Sequence, residues 1–191
     1  MVGATELSTR DARSATSATA AMRETRRMPG LTDDELDAFL DEPGHLLRLG
    51  TIGTDGLPRV VPIWFVHRDG AIWFTPRARS AWLADLRSRP AVCATIDESD
   101  APMRKLIARG TAELVHDLGE DDVWRPMYRD IAVRYTPERF ADAYIADTIE
   151  EPRALFRLDL AAADTSTWRM PVRERGEDPL AVWGTQYYHR S

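Results

Sequence analysis

The sequence predicts a mainly β chain with helices, an α+β protein built around a small antiparallel β-barrel. Three observations point there. Between His45 and His116 short apolar runs alternate with the turn pairs Asp55-Gly56 and Asp69-Gly70, the strongest short-range hairpin signal. The run Arg59–His67 carries Val60, Val61, Ile63, Trp64, Phe65 and Val66 almost without interruption, as a strand buried on both faces does. Finally, 191 residues with six tryptophans suit one domain of ordinary size that buries a substantial core.

The elements follow in order. Thr32 with Glu35 three residues on forms a capping box, so a helix starts there, with Leu36, Phe39 and Leu40 on one apolar face and Pro43-Gly44 at its end. Leu46–Thr54, Arg59–His67 and Ala71–Thr75 read as three strands linked by the two turns. Ser80–Ser88 reads as a helix with Trp82, Leu83 and Leu86 on its inner side. Ala91–Asp97 and Arg104–His116 are two further strands, and Leu118–Val133 is helical. Thr136 at N-cap and Pro137 at N1 start another helix, and Ala154–Leu160 is a closing strand. This gives a leader over 1–30 that is expected to be mobile, a barrel domain over 31–170, and a tail over 171–191. The aromatics of that tail are expected to dock on the barrel or on a partner subunit.

Charge narrows the function. The chain carries a net −6, which argues against nucleic acid as a partner. Residues 45–115 nonetheless sum to +3 inside this acidic protein, as a site for an anionic small molecule requires. Lys105 is the only lysine beside 24 arginines. No run approaches the roughly 18 apolar residues of a membrane-spanning helix, and the first 30 residues lack a secretory core, so a cytoplasmic protein is expected. Cys93 is the only cysteine, and its place in Ala91-Val92-Cys93-Ala94 suggests a small buried residue.

Familiar catalytic patterns are missing. His45, His67, His116 and His189 lack metal-ligand spacing. There is no G-x-S-x-G elbow, no G-x-G-x-x-G and no P-loop, and no catalytic acid or base can be named. Asp33-Asp34 and Glu120-Asp121-Asp122 sit where helix starts attract acids. Such a chain suits chemistry performed by a bound cofactor that the protein positions.

The ordered set of segments carries a resemblance. It runs through Leu46-Leu47-Arg48-Leu49-Gly50-Thr51-Ile52, Asp55-Gly56-Leu57-Pro58-Arg59-Val60-Val61-Pro62-Ile63-Trp64-Phe65 and Asp69-Gly70-Ala71-Ile72-Trp73-Phe74-Thr75. Leu86-Arg87-Ser88-Arg89-Pro90-Ala91-Val92 and Arg109-Gly110-Thr111-Ala112-Glu113 complete it. Over roughly Thr32–His116 the chain resembles the pyridoxamine 5'-phosphate oxidase-like flavin-binding split-barrel family. The resemblance implies a split antiparallel β-barrel, homodimeric, with two flavin sites at the subunit interface.

It also implies the cofactor-binding residues. These are Arg59, Val60, Val61, Pro62, Ile63 and Trp64 along the strand after the first hairpin, with Thr75 and Ser80 near the ribityl-phosphate. Many members carry a basic pair just after that serine, where this chain has Ala81 and Trp82, so Arg77 or Arg79 is expected to supply the charge. Lys105 aligns near a position that contacts the flavin ring, and Trp168-Arg169 with residues that complete the site from the other subunit. The implied function is an FMN-dependent oxidoreductase taking a small organic substrate and a reductant. The alternatives on the same fold are a deazaflavin-coenzyme-dependent reductase, or a non-catalytic flavin or haem binding protein with a ligand such as His45.

Overall fold

A computed structural model describes residues 29–178. The chain forms two compact units, Leu31–Thr167 and a smaller one to which residues 29–30 and 168–178 belong. The expected leader and the tail aromatics Trp183, Tyr187 and Tyr188 lie outside the described residues.

In the main unit, helix α1 (Asp33–Asp41) is followed by β1 (Leu47–Ile52), β2 (Pro58–Ile63), β3 (Val66–Arg68) and β4 (Ala71–Phe74). Helix α2 (Ala81–Ser88) precedes β5 (Ala91–Asp97), β6 (Lys105–Thr111) and β7 (Glu113–His116). Helices α3 (Asp121–Val133) and α4 (Glu138–Asp147) come next, then β8 (Leu155–Asp159) and β9 (Asp164–Trp168). The strands make a five-stranded sheet in the order β2-β1-β5-β6-β9 and a four-stranded sheet in the order β3-β4-β8-β7. Pairing of β1 with β2 and β5, of β5 with β6, and of β8 with β4 and β7 is antiparallel. This is the split barrel.

Local chemistry explains the elements. The Thr32 hydroxyl accepts from Glu35 N–H at 3.2 Å while the Glu35 carboxylate accepts from Thr32 N–H at 3.0 Å, closing the capping box. Helix α1 has no basic residue in its last turn. Arg134 instead donates to the carbonyls of Leu40, Asp41 and Glu42, satisfying the terminal acceptors. Asp69 and Gly70 both take positive φ, which matches the twist of a two-residue hairpin. Phe39, Leu40, Leu47, Leu49, Phe65, Ile72 and Phe74 belong to the main core, while Trp124, Tyr128, Ile145 and Leu155 form a second cluster beneath α3 and α4.

The structure corrects several expectations. The second strand is two strands in different sheets, because the chain turns from one to the other at Trp64–Phe65. Phe65 N–H donates to the Tyr135 hydroxyl at 3.2 Å, and that hydroxyl donates to the His45 carbonyl at 2.7 Å. A side chain thus takes over the bond a ladder would have made. Nor is β2 covered on both faces in the single chain, since Pro58, Val60 and Pro62 are exposed. Arg104–His116 likewise divides at Ala112 into β6 and β7, one in each sheet.

Cys93 is exposed, not buried: it sits opposite Gly50 on the outward face of β5, while Val92 and Ala94 point inward. Helix α4 starts one residue late, because Pro137 is in extended conformation and serves as N-cap in place of Thr136. Strand β9 was not expected, since Asp164-Thr165-Ser166-Thr167 is polar throughout. No helix among the described residues is long and apolar enough to cross a membrane.

Candidate functional site

A cleft of about 260 Å³ opens where β2 ends, between α2, α3 and α4, and its walls include Pro62, Ile63, Trp64, Thr75 and Ser80. Five of the residues implied by the family resemblance therefore meet in one place. Trp64, freed from the ladder by the turn at Phe65, stacks on Tyr135 at 5.0 Å and meets Tyr144 edge-on at 5.9 Å. Thr75 follows the end of β4, and its hydroxyl oxygen is buried with no hydrogen-bond partner. Ser80 is the N-cap residue of α2 and makes no side-chain capping bond, so its hydroxyl is not committed to the helix.

The cleft also holds Arg77, Tyr128, Tyr144 and Arg153, of which only Arg77 stood out in the sequence. Arg77 and Arg153 face each other in an antiparallel bridge, flanked by the backbone bonds Ala78 N–H to Pro152 O and Ala154 N–H to Pro76 O. Both donate to the Tyr144 hydroxyl, Arg153 at 3.4 Å. Arg77 pairs with Glu151 at 2.7 Å. Arg153 is 5% exposed and its guanidinium lies 4.4 Å over the Tyr128 ring; its backbone N–H donates to the Asp121 carboxylate at 2.9 Å, while the guanidinium itself pairs with no carboxylate among the described residues. Burial pushes the Tyr128 phenol well above its ordinary range. Burial also works upward on Tyr144, but hydrogen bonds from Arg77 and Arg153 outweigh it and hold that phenol below the usual tyrosine range.

The other expected residues lie elsewhere. Arg59 projects from β2 to Asp85 of α2, its Nε 2.8 Å from the carboxylate, which also accepts from the Thr51 hydroxyl at 3.0 Å. Val60 is on the outward face of β2, and Val61 packs on the core from the other face. Arg79 lines an adjacent cleft of about 430 Å³ with Arg77, Ala78, Glu150, Glu151 and Pro152. Lys105 opens β6 opposite Asp97. In the smaller unit, Arg169 is clasped by Glu177 at 2.7 and 2.9 Å, and this pairing holds the Glu177 carboxyl at about 2.

His45 stands beside Glu42 at 3.3 Å. Glu42, His45 and Glu98 bring ligand-type atoms within 4.8 Å of one another, but the positive charge there is Arg104, which donates to both carboxylates.

Arg153 and the two tyrosines escaped the sequence because nothing in Pro152-Arg153-Ala154 marks it as a wall of this cleft. Only the bridge to Arg77 brings it there. The signal available was weak: a lone arginine just before an apolar closing strand.

Comparison with known proteins bears on the fold and the family. The pyridoxamine 5'-phosphate oxidase family model matches residues 32–166. Among solved structures, the conserved hypothetical protein Rv2991 from Mycobacterium tuberculosis is similar at 24% identity and TM-score 0.57, over 73% of this chain and 85% of that one. HutZ, the haem storage protein from Vibrio cholerae, is similar at 18% identity and TM-score 0.55, over 74% and 97%. A FAD-binding protein from Mesorhizobium loti is similar at 19% identity and TM-score 0.54, over 74% and 96%. These likenesses are to the fold. No protein with a curated description matches the sequence. With its family model spanning the whole two-sheet unit, the chain belongs to the pyridoxamine 5'-phosphate oxidase family.

Proposed function

We propose that the protein is a flavin-dependent oxidoreductase that holds FMN in the Trp64–Thr75–Ser80 cleft and acts on a small organic substrate. The observation that carries this reading is the buried, unpartnered Thr75 hydroxyl beside Ser80 and two arginines, in a cleft walled by Ile63 and Trp64. A phosphate ester accepts hydrogen bonds from hydroxyls and guanidinium groups, and a planar ring system packs against apolar and aromatic walls, so the donor set fits the group. When bound, FMN supplies two-electron chemistry. The chain's own share is to anchor the anionic end, to exclude water with Ile63, Trp64 and Trp82, and to fix Trp64 by stacking on Tyr135.

The reading includes a homodimer. A cleft of 260 Å³ falls below the roughly 300–1,000 Å³ of typical cofactor sites, so this wall of one chain suits only part of a flavin. Val60 is 66% exposed and sits across β1 from Cys93, with Gly50 between them, on an outward face that also carries Pro58 and Pro62. Such an apolar face suits a second copy of the chain.

A second reading keeps the fold and takes a deazaflavin coenzyme, favoured by Ala81 and Trp82 standing where many members carry a basic pair. The adjacent 430 Å³ cleft weighs against it, because Glu150 and Glu151 balance Arg77 and Arg79 there and a longer anionic tail gains little. The test is anaerobic reduction of the FMN-loaded protein by NADPH or NADH, followed by reoxidation with candidate acceptors. Repeated turnover supports the oxidoreductase, whereas tight binding of one flavin per subunit with no turnover makes the protein a carrier.

A further inference from the structure

We propose that Arg153 and Arg77, together with the Thr75 hydroxyl, form the anchor for a phosphate monoester dianion, in place of a basic pair following Ser80. The inference rests on the flavin reading above and names the residues that grip its terminal phosphate.

Two arginines are direct cross-strand partners, an arrangement that is destabilising unless something offsets the like charges. Glu151 offsets one of them. The other, Arg153, is nearly fully buried, and a buried guanidinium that meets no carboxylate is unfavourable. Stacking over Tyr128 and a long hydrogen bond to Tyr144 offset part of that cost.

A second orphan stands in the same cleft. The buried Thr75 oxygen has no partner, an unfavourable state for a group removed from water. The Tyr128 hydroxyl is likewise buried without a partner, so two orphan hydroxyls and a guanidinium that meets no side-chain carboxylate line one small cavity. Tyr144 lies in the same positive field: Arg77 first, then Tyr128 and Arg153, hold its phenol below the usual range despite burial. After Arg77 has met Glu151, one positive charge and two hydroxyls remain, and a phosphate monoester with three acceptor oxygens satisfies them.

Position explains the substitution. Trp82 is 9% exposed, packs on the main core and lines the cleft, so the position that carries a basic residue in many members contributes apolar wall here. Charge lost after Ser80 is supplied instead from the bridge between residues 77 and 153.

The test measures equilibrium affinities of the full chain for FMN, riboflavin and inorganic phosphate by fluorescence and calorimetry. Wild type is expected to bind FMN at least about tenfold more tightly than riboflavin, with phosphate competing for FMN, since hydrogen bonds to charged groups contribute about 1.5–3 kcal/mol. Arg153→Met removes that preference and leaves riboflavin affinity unchanged, and Arg153→Lys restores part of it. Thr75→Val also lowers the preference, yet holds or raises the melting temperature because an orphan hydroxyl is gone; it decides the matter should Arg153→Met fail to fold. The proposal is overturned if Arg153→Met weakens FMN and riboflavin equally, which is a merely structural role. It is overturned too if wild type binds both flavins equally, a result that leaves the flavin reading intact. If wild type binds neither flavin but binds phosphate in an Arg153-dependent way, the anion anchor stands and the flavin reading fails.

Discussion

Arg59 donates its Nε–H to the carboxylate of Asp85 at 2.8 Å and thereby ties the middle of β2 to helix α2. Asp85 is only 1% exposed and takes its second bond from the Thr51 hydroxyl. The family resemblance implied that Arg59 runs along a cofactor. Its partner within the chain is a buried acid.

Removing that partner strands the acid. Arg59→Met is expected to destabilise the fold by about 1–3 kcal/mol, less than a fully buried pair because the Arg59 side chain is 41% exposed. Replacing both members, Arg59→Met with Asp85→Leu, is expected to recover most of the loss. Urea unfolding midpoints check this. A double variant as unstable as the single one would show that Asp85 is not the reason Arg59 matters.

Acid sensitivity follows from Arg104. Its hydrogen bonds depress the carboxyls of Glu42 and Glu98 below their usual values. A depressed carboxyl contributes stability that is present above its unfolded value, about 4.3, and is lost as pH falls through the folded one. Arg104→Gln is therefore expected to lower stability at neutral pH and to flatten its decline below about pH 4.3. Thermal unfolding from pH 7 to pH 3 measures both slopes, and parallel curves for the two proteins would refute the assignment.

Tyr135→Phe is expected to cost about 1–3 kcal/mol, since the Phe65 amide and the His45 carbonyl both lose a partner. The Trp64 stack on that ring should loosen as well, shifting tryptophan emission. Unchanged stability would mean that the turn between the two sheets does not depend on the hydroxyl.

The outward face of β2 supplies a test of assembly. Val60→Glu places a charge at the centre of the exposed apolar strip and is expected to convert a dimer into a folded monomer, seen by light scattering. A wild-type protein that is already monomeric at high concentration would remove this part of the reading.

What the sequence made legible was what local chemistry determines. The Thr32–Glu35 capping box and the Asp69-Gly70 turn depend on a few adjacent residues, and both formed as expected. Ala91–Asp97 was bounded at both ends by its flanking signals. The breaks at Trp64–Phe65 and Ala112 were hidden, because apolar runs continue through them while the partner strand changes. At the first break the cause is Tyr135, some seventy residues away. Cys93 was misplaced for a related reason: a run of small apolar residues does not reveal which face of a strand is outward. In the cleft, Thr75, Ser80 and Trp64 came from ordered resemblance along the chain, whereas Arg153 is brought in only by tertiary pairing.

The central claim is that this barrel holds a flavin, and the absorption spectrum of the freshly purified protein tests it most directly. Spectra are taken before and after separate additions of FMN, deazaflavin coenzyme and haem, each followed by gel filtration. The account predicts a two-banded flavin spectrum that survives filtration with FMN. A protein that retains none of the three, or that retains only haem with a sharp Soret band, would contradict it.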